Sequence, residues 1–450
     1  MFLIYGVKII PLLLAAIAIA LGACSDHSGH QGVAATTSDQ WYAPAGWPAI
    51  HRDARNTDTA TVSAPVVVFE PAFHVLGGSV IGAVLTTDAD GSVFATSFST
   101  PGTLCRVFSL DPGSGEQQWC TDILSGLVVS SSVTVDRDGN LYIADERFMV
   151  SFTNDGRERW RTPIDGNPLS AQFTPDGRLI FISHIGHIYV VERDTGELVT
   201  EYDLLPAQSY DPAQASPLDC LTGGADSTCY SANTLAIDPL TGRFYFTFAP
   251  PGEDAASVIA MDYTGGQKPS ITPVWVNDSL AGGSAASPAI SLDGGRLYTN
   301  DQSGNLLAID AGTGATAWTY PLGFSPFGSP SVTSGGRIIP TAGAGSWPLA
   351  LTDAGDHAEL LWERRDLDHR GVPAQTSDEG PLYLVVADSD GPGGVQLAVL
   401  DGPSGATLNM VAAPGSGALT IGTTVGPDGS VYFAGLLEGV FGFRPGQALE

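Results

Sequence analysis

A Gly-containing turn running straight into a short aromatic or β-branched strand recurs eight times along the 450-residue chain. The units centre on Asp90-Gly91-Ser92-Val93-Phe94, Asp138-Gly139-Asn140-Leu141-Tyr142, Asp176-Gly177-Arg178-Leu179-Ile180-Phe181, Gly242-Arg243-Phe244-Tyr245, Gly294-Gly295-Arg296-Leu297-Tyr298, Gly335-Gly336-Arg337-Ile338-Ile339, Glu379-Gly380-Pro381-Leu382-Tyr383 and Asp428-Gly429-Ser430-Val431-Tyr432. Most lie roughly 40 to 50 residues apart, the length of one four-stranded propeller blade. The architecture is therefore well specified, and the chemistry much less so.

Each unit carries a second signal, clearest from Leu307 to Trp318. A strand ends in Asp310, the chain turns through Gly312 and Gly314, and the next strand carries Trp318. Variants run from Asp111 through Gly115 to Trp119, from Thr153 through Gly156 to Trp160, from Asp262 to Trp275 and from Thr352 to Trp362. This pattern resembles the repeat of the pyrroloquinoline-quinone-like propellers, a superfamily that includes quinoprotein alcohol dehydrogenases and the propeller lipoprotein of the outer-membrane β-barrel assembly machinery. The segment Trp47-Pro48-Ala49-Ile50-His51-Arg52-Asp53 resembles the lead-in of such proteins. The resemblance is specific for fold and not for activity. In physical terms, Asp before the turn can bond its own backbone two residues on, and Gly supplies positive φ. Trp, once per unit, can wedge between neighbouring sheets.

The expected fold is thus all-β, an eight-bladed propeller of four-stranded antiparallel blades spanning residues 46–450. The last unit stops one strand short. The β-branched run Ala64-Pro65-Val66-Val67-Val68-Phe69 is expected to supply that strand and remove the free edge.

Ahead of the propeller, Lys8 precedes an apolar run from Ile9 to Leu21 that ends in Leu21-Gly22-Ala23-Cys24. The run is too short to cross a bilayer core of about 30 Å as a helix, yet suits a signal peptide. The ending resembles a bacterial lipobox. Residues 1–23 then form a lipoprotein signal peptide, Cys24 the lipid attachment site, and residues 24–45 a flexible tether of small polar residues. Ser25 after Cys24 resembles the pattern of lipoproteins sent on to the outer membrane.

Four further cysteines remain, an even number in an exported, oxidising setting. Cys105 and Cys120 are equidistant from the turn Asp111-Pro112-Gly113-Ser114, so a symmetric hairpin places them directly opposite one another. Cys220 and Cys229 would pinch a loop rich in Gly, Ser and Asp. No Cys-x-x-Cys pair supports a metal site.

Net charge is −29, and cleavage of the signal peptide leaves Lys268 as the only lysine. Phosphate contacts need a basic surface, so nucleic acid is excluded as a partner. Quinoprotein dehydrogenases carry adjacent cysteines over the cofactor and a calcium-binding Glu and Asn. No two cysteines are adjacent here and no carboxylate set matches, so no cofactor is expected. His184 and His187, His27 and His30, and the loops at Asp88 and Asp136 lack the spacing or companions of a metal site. Motifs for a nucleophile elbow, a zinc protease or a phosphate loop are absent.

The reading is a monomeric, membrane-anchored, non-catalytic scaffold for proteins or glycans in the cell envelope. The alternative is a propeller enzyme, either a hydrolase or lyase using channel carboxylates or a quinoprotein dehydrogenase. If strands a to d run outward from the axis, the two regular turns of each blade share one face, and the b-to-c and d-to-a connections share the other. Long irregular stretches fall on the second face: 98–103, 203–231, 250–256, 343–348, 363–378 and 388–394. Variable loops on a rigid scaffold are where binding resides, making Trp347, Tyr210, Cys220 and Cys229 the binding-face candidates.

Overall fold

Asp88 Oδ1 accepts hydrogen bonds from the main-chain N–H of Asp90 (3.0 Å) and Ser92 (2.8 Å), while Gly91 takes φ +95°. Asp136 closes the next loop in the same way through Asp138 (2.9 Å) and Asn140 (2.8 Å), with Gly139 at φ +81°. The carboxylate replaces the partners that the backbone loses on reversing, so a strand begins at once beyond each turn.

The computed structural model describes residues 38–61, 66–205, 222–343, 345–388, 394–413 and 420–446. All belong to the second of the chain's two compact units, Thr36–Glu450. Among them there is no α-helix, only two 3-10 segments, Ser38–Trp41 and Gly126–Ser130. Residues 38–45 of the expected tether are built into this unit: Trp41 Nε1 donates to Pro175 O (3.2 Å), and Tyr42 is buried against Phe173.

The strands pair into five four-stranded sheets, one of five strands and one of eight. The first sheet shows the pattern: Thr86–Thr87, Val93–Thr96, Val107–Leu110 and Gln117–Thr121, each antiparallel to the one before. The five-stranded sheet has a divided innermost strand, Ser231–Ala232 and Ala236–Ile237, both on Arg243–Ala249. The eight-stranded sheet is two antiparallel four-stranded runs joined by a single parallel pairing, Val372 with Gly422. Adjacent sheets are stitched near their inner edges by threonine hydroxyls, as from Thr134 to Ala171 O (2.8 Å), Thr247 to Ala286 O (2.9 Å) and Thr424 to Leu85 O (2.7 Å).

Two expectations need correction. The N-terminal strand that pairs with Gly439–Pro445 is Phe69–Val75, so of the described part of the expected run, residues 66–69, only Phe69 lies in it. Packing overrides β-propensity here. Phe69 and Phe73 are the buried members of the strand and Phe73 stacks on Tyr432, whereas Val66 is only partly buried and the carbonyls of Val66 and Val68 bond outside the strand, to Tyr383 Oη and Gly446 N–H. The disulfide Cys105–Cys120 is present, with Cα atoms 5.8 Å apart, but the two residues do not face one another. Cys120 pairs with Phe108, because the turn uses an Asp111-to-Gly115 bond and the ladder shifts register between Ser109 and Leu110. Cys105 reaches its partner from just before the strand.

The recurring Trp and Gly are two halves of one contact between sheets. Trp119, on the outer strand of the first sheet, donates Nε1–H to Asn154 O (2.7 Å) in the next sheet's outer turn, and its ring covers Gly156. Trp160 repeats this on Arg193 O (3.0 Å) and Gly196, Trp275 on Ala311 O (3.1 Å) and Gly314, and Trp362 on Gly402 O (2.8 Å) and Gly405. Trp318 donates instead to Asp353 Oδ1 (2.8 Å). Phe73 covers Gly115 in the same manner, so the N-terminal strand is locked to the first sheet as the others are to theirs.

A paired substitution separates backbone from contact. Gly156 and Gly102 have nearly equal φ, +82° and +80°, but a Cβ on Gly156 would stand 2.8 Å from the Trp119 ring, while Gly102 faces open space. Gly102→Ala should lose only the left-handed backbone term, about 1 to 2 kcal/mol. Gly156→Ala should lose about 1 to 3 kcal/mol more through overpacking. Equal losses in chemical denaturation would mean that the ring contact is not what the glycine serves.

Candidate functional site

The innermost strands are short, and their axis-facing edges present main-chain N–H groups that would otherwise lack partners. Residues 47–60 supply those partners. Trp47 O accepts from Thr87 N (2.9 Å), Pro48 O from Val135 N (2.7 Å), Ala54 O from Ile237 N (2.7 Å), Arg55 O from Ile290 N (2.9 Å), Thr57 O from Val332 N (2.8 Å) and Asp58 O from Gln375 N (3.0 Å). Each donor is the last residue of a different innermost strand. Asn56 Oδ1 adds the sheet of Gln172, accepting from its Nε2 at 2.8 Å. The segment thus winds around the axis as a plug, with Trp47, Ala49, Ala54 and Asn56 wholly buried.

Such winding forces three non-glycine residues into left-handed backbone: Arg52 (φ 71°), Asn56 (φ 58°) and Asp58 (φ 48°). Asn and Asp accept this readily, Arg much less so. Two plug side chains meet: His51 Nδ1 lies 2.9 Å from Asp58 Oδ2, and both residues are buried. His51 Nε2 lies 3.2 Å from Ser329 Oγ, which also accepts from Ser287 N at 2.9 Å. Burial pushes the Asp58 carboxyl up to about 6, against the pull of His51 in the other direction.

Above this polar floor is a cavity of about 460 Å³. Its walls are largely apolar, drawn chiefly from Val80, Val84, Val129, Leu169, Val372 and Ile421, and its polar lining comes from His51, Ser130, Asn233, Thr234, Ser287, Ser329 and Thr420. Most wall residues belong to connections that lead into innermost strands. Phe98, Ala342 and Leu436 come from connections between second and third strands. The cavity therefore lies among the loops of the irregular face.

The sequence-derived candidates do not converge on it. Trp347 is half-buried between Phe324 (5.2 Å, edge-on) and the Arg365 guanidinium (4.3 Å), and its Nε1 has no partner. Cys229 is buried and disulfide-bonded. Cys24, Tyr210 and Cys220 lie outside the described residues. The stretch 363–378 is not one loop, since His369–Gln375 is an innermost strand and only 364–368 connects sheets. His184 accepts from Asn167 N (2.9 Å) and His187 approaches Asp203 (3.1 Å). Among the described residues, no three His, Cys, Asp or Glu side chains converge as metal ligands.

Sequence reasoning missed two groups. One is the plug set, His51, Asp58 and Ser329, whose members stand 7 and 278 residues from His51 in the chain. The other is a scatter of exposed apolar residues on the irregular face: Leu104 (71% exposed), Leu437, Ile123, Phe98 and Phe327. Large apolar side chains within otherwise polar connections were the available signal.

The family model described as Outer membrane protein assembly factor BamB matches residues 105–246 and 254–435. The chain belongs to this BamB-type PQQ_2 family. Within reach of the family is Protein Rv3035 of Mycobacterium tuberculosis (strain ATCC 25618 / H37Rv), 30% identical over 416 residues, covering 91% of this chain and 99% of that protein. The outer membrane protein assembly factor BamB of Yersinia pestis is 24% identical over 63% of this chain and 67% of its own length. BamB from Moraxella catarrhalis shares the fold, with a TM-score of 0.55 at 19% identity over 84% of this chain and all of that one.

One buried group in this region makes a test of the fold's pH dependence. His369, on the strand that supplies Val372, is wholly buried with both ring nitrogens unpartnered. Burial pushes its pKa down to about 3, and that of His184 to about 4. A depressed histidine binds fewer protons folded than unfolded, so stability is lost as pH falls below about 6.5. Between about pH 7.5 and pH 5, His369 should account for about 2 kcal/mol of that loss. His369→Leu should flatten the acid slope by this amount and leave the His184 share, as read from denaturant midpoints across pH; an unchanged slope would place the titration elsewhere.

Proposed function

We propose that this protein is a lipid-anchored scaffold of the bacterial outer membrane that holds protein partners on its irregular face. Membership of a family described as an assembly factor is the observation that carries the reading. The scaffold is an eight-bladed propeller, its last blade completed by Phe69–Val75, and the antiparallel pairing of that strand with Gly439–Pro445 supports this closure. Rigidity suits the role: threonine stitches, tryptophan contacts and an axial plug all resist shear between sheets. Exposed apolar residues on the irregular face, Leu104 and Phe98 foremost, supply desolvation energy to a partner, and the acidic surface selects against phosphate-rich ones. Partner capture on this reading needs no chemistry from the exposed apolar residues, and the protein acts as a monomer.

Capture of partners by crosslinking in native membranes should fall at least tenfold in a Phe98→Asp, Leu104→Asp double variant, with the melting temperature nearly unchanged. Unchanged capture, alongside loss on Leu240→Asp or Leu292→Asp at the regular turns, would move the binding surface to the opposite face. Anchoring is tested separately. Cys24→Ala should shift the protein from the detergent phase to the soluble periplasmic fraction, and unchanged partitioning would remove the lipid from the account.

A further inference from the structure

Ring-lining serines in this fold have an ordinary use. Ser170 Oγ accepts from Ser132 N (2.9 Å), tying adjacent innermost connections, and Ser329 Oγ does the same for Ser287 N (2.9 Å). Of these two serines, Ser329 has in addition an imidazole beside it. The plug brings His51 Nε2 to 3.2 Å from the hydroxyl and anchors the opposite ring nitrogen on Asp58 at 2.9 Å. An ionised carboxylate can only accept, so it takes the Nδ1–H and leaves the Nε2 lone pair facing Ser329. That is the order of roles in nucleophilic acyl transfer, hydroxyl to base to orienting carboxylate, which is recognised by geometry on unrelated folds. Two further observations point to use rather than filler. The backbone next to the base is left-handed at Arg52, a strain of the kind that concentrates at functional sites. His51 and Ser329 also line the 460 Å³ cavity instead of being sealed within a sheet.

We propose that Ser329, His51 and Asp58 form an esterase site, with Ser329 as nucleophile, His51 as general base and Asp58 as the positioning carboxylate, acting on esters of uncharged, apolar acyl groups. The substrate class follows from the walls: Val84, Val129, Leu169 and Ile421 offer apolar contact, and no Lys or Arg lines the cavity to receive a carboxylate or phosphate. In the first half-reaction Ser329 Oγ bonds to the acyl carbon as its proton passes to His51 Nε2. The carbonyl electron pair moves to oxygen and returns as the bond to the alcohol breaks, and the alcohol leaves with the proton from His51. Water then attacks the acyl-serine, giving its proton to His51. The acid departs, Ser329 recovers its proton, and the sum is ester plus water to acid plus alcohol. Phe98 lines the cavity as well as facing partners, so the two activities are told apart by Ser329→Ala, which removes the nucleophile and leaves the exposed Phe98 and Leu104 intact.

The test treats the purified full-length protein with an alkyl fluorophosphonate and maps adducts by mass spectrometry. One adduct on the peptide containing Ser329 is expected, absent from Ser329→Ala and at least tenfold slower to form in Asp58→Asn. Hydrolysis of p-nitrophenyl esters should favour longer acyl chains and fall at least a hundredfold in Ser329→Ala. Folded wild-type protein that carries no adduct on Ser329 would overturn the proposal whatever the variants do. Ester hydrolysis undiminished in a Ser329→Ala protein of wild-type melting temperature would overturn it equally.

Discussion

An indole laid over a left-handed glycine of the following sheet is the contact on which the ring depends. Sheets of four strands twist, and two such faces packed together leave a wedge at the rim that widens outward. Trp119, Trp160, Trp275 and Trp362 fill the wedge, and each Nε1–H finds a carbonyl in the neighbouring turn, so the large apolar body is buried without stranding its one donor. The glycine is required twice over, for its φ and for the space its missing Cβ leaves. Where the tryptophan is absent, Phe73 takes its place over Gly115, and the N-terminal strand acquires the same lock as strands built from one continuous stretch.

Closing the rim creates a problem at the axis. Short innermost strands converge there with N–H groups pointing into a space too narrow for another sheet. Residues 47–60 solve it by main-chain carbonyls, one strand after another, which is why the segment contains little regular structure and yet is buried. The same winding determines what the axis can do. It sets His51 and Asp58 side by side below a largely apolar cavity, and it brings to them a serine from a connection far along the chain. Stability and the proposed chemistry therefore share one segment, and one of the left-handed residues that the winding requires, Asp58, is itself the partner of His51.

Surface charge and surface shape divide the remaining work. The strong acidity excludes nucleic acid and disfavours anionic partners over the whole molecule. It cannot distinguish one face from the other. Loop geometry does that, since the regular turns shown by Asp88 and Asp136 are tight Asx-type loops with satisfied backbones, whereas the opposite connections are longer and carry Leu104, Phe98 and Phe327 beside the cavity loops.

Turns, strands and the sites of contact between sheets were legible in the chain because each is local: Asp88 bonds its own backbone two residues on, Gly91 needs its φ wherever it sits, and a repeated Trp reports a repeated neighbour. Family membership was legible for the same reason, being carried by repeats. Register was less so. The Cys105–Cys120 disulfide could be read from spacing, but a ladder shift beside Leu110 moved Cys120 opposite Phe108. The strand that pairs with Gly439–Pro445 fell at Phe69–Val75 because buried Phe69 and Phe73 outweigh a run of valines. The plug site was not legible at all. Nothing local marks His51 as the neighbour of Ser329, because their meeting depends on residues 47–60 bonding to the ends of successive innermost strands, and only the tertiary structure brings into contact groups that share no repeat, strand or turn.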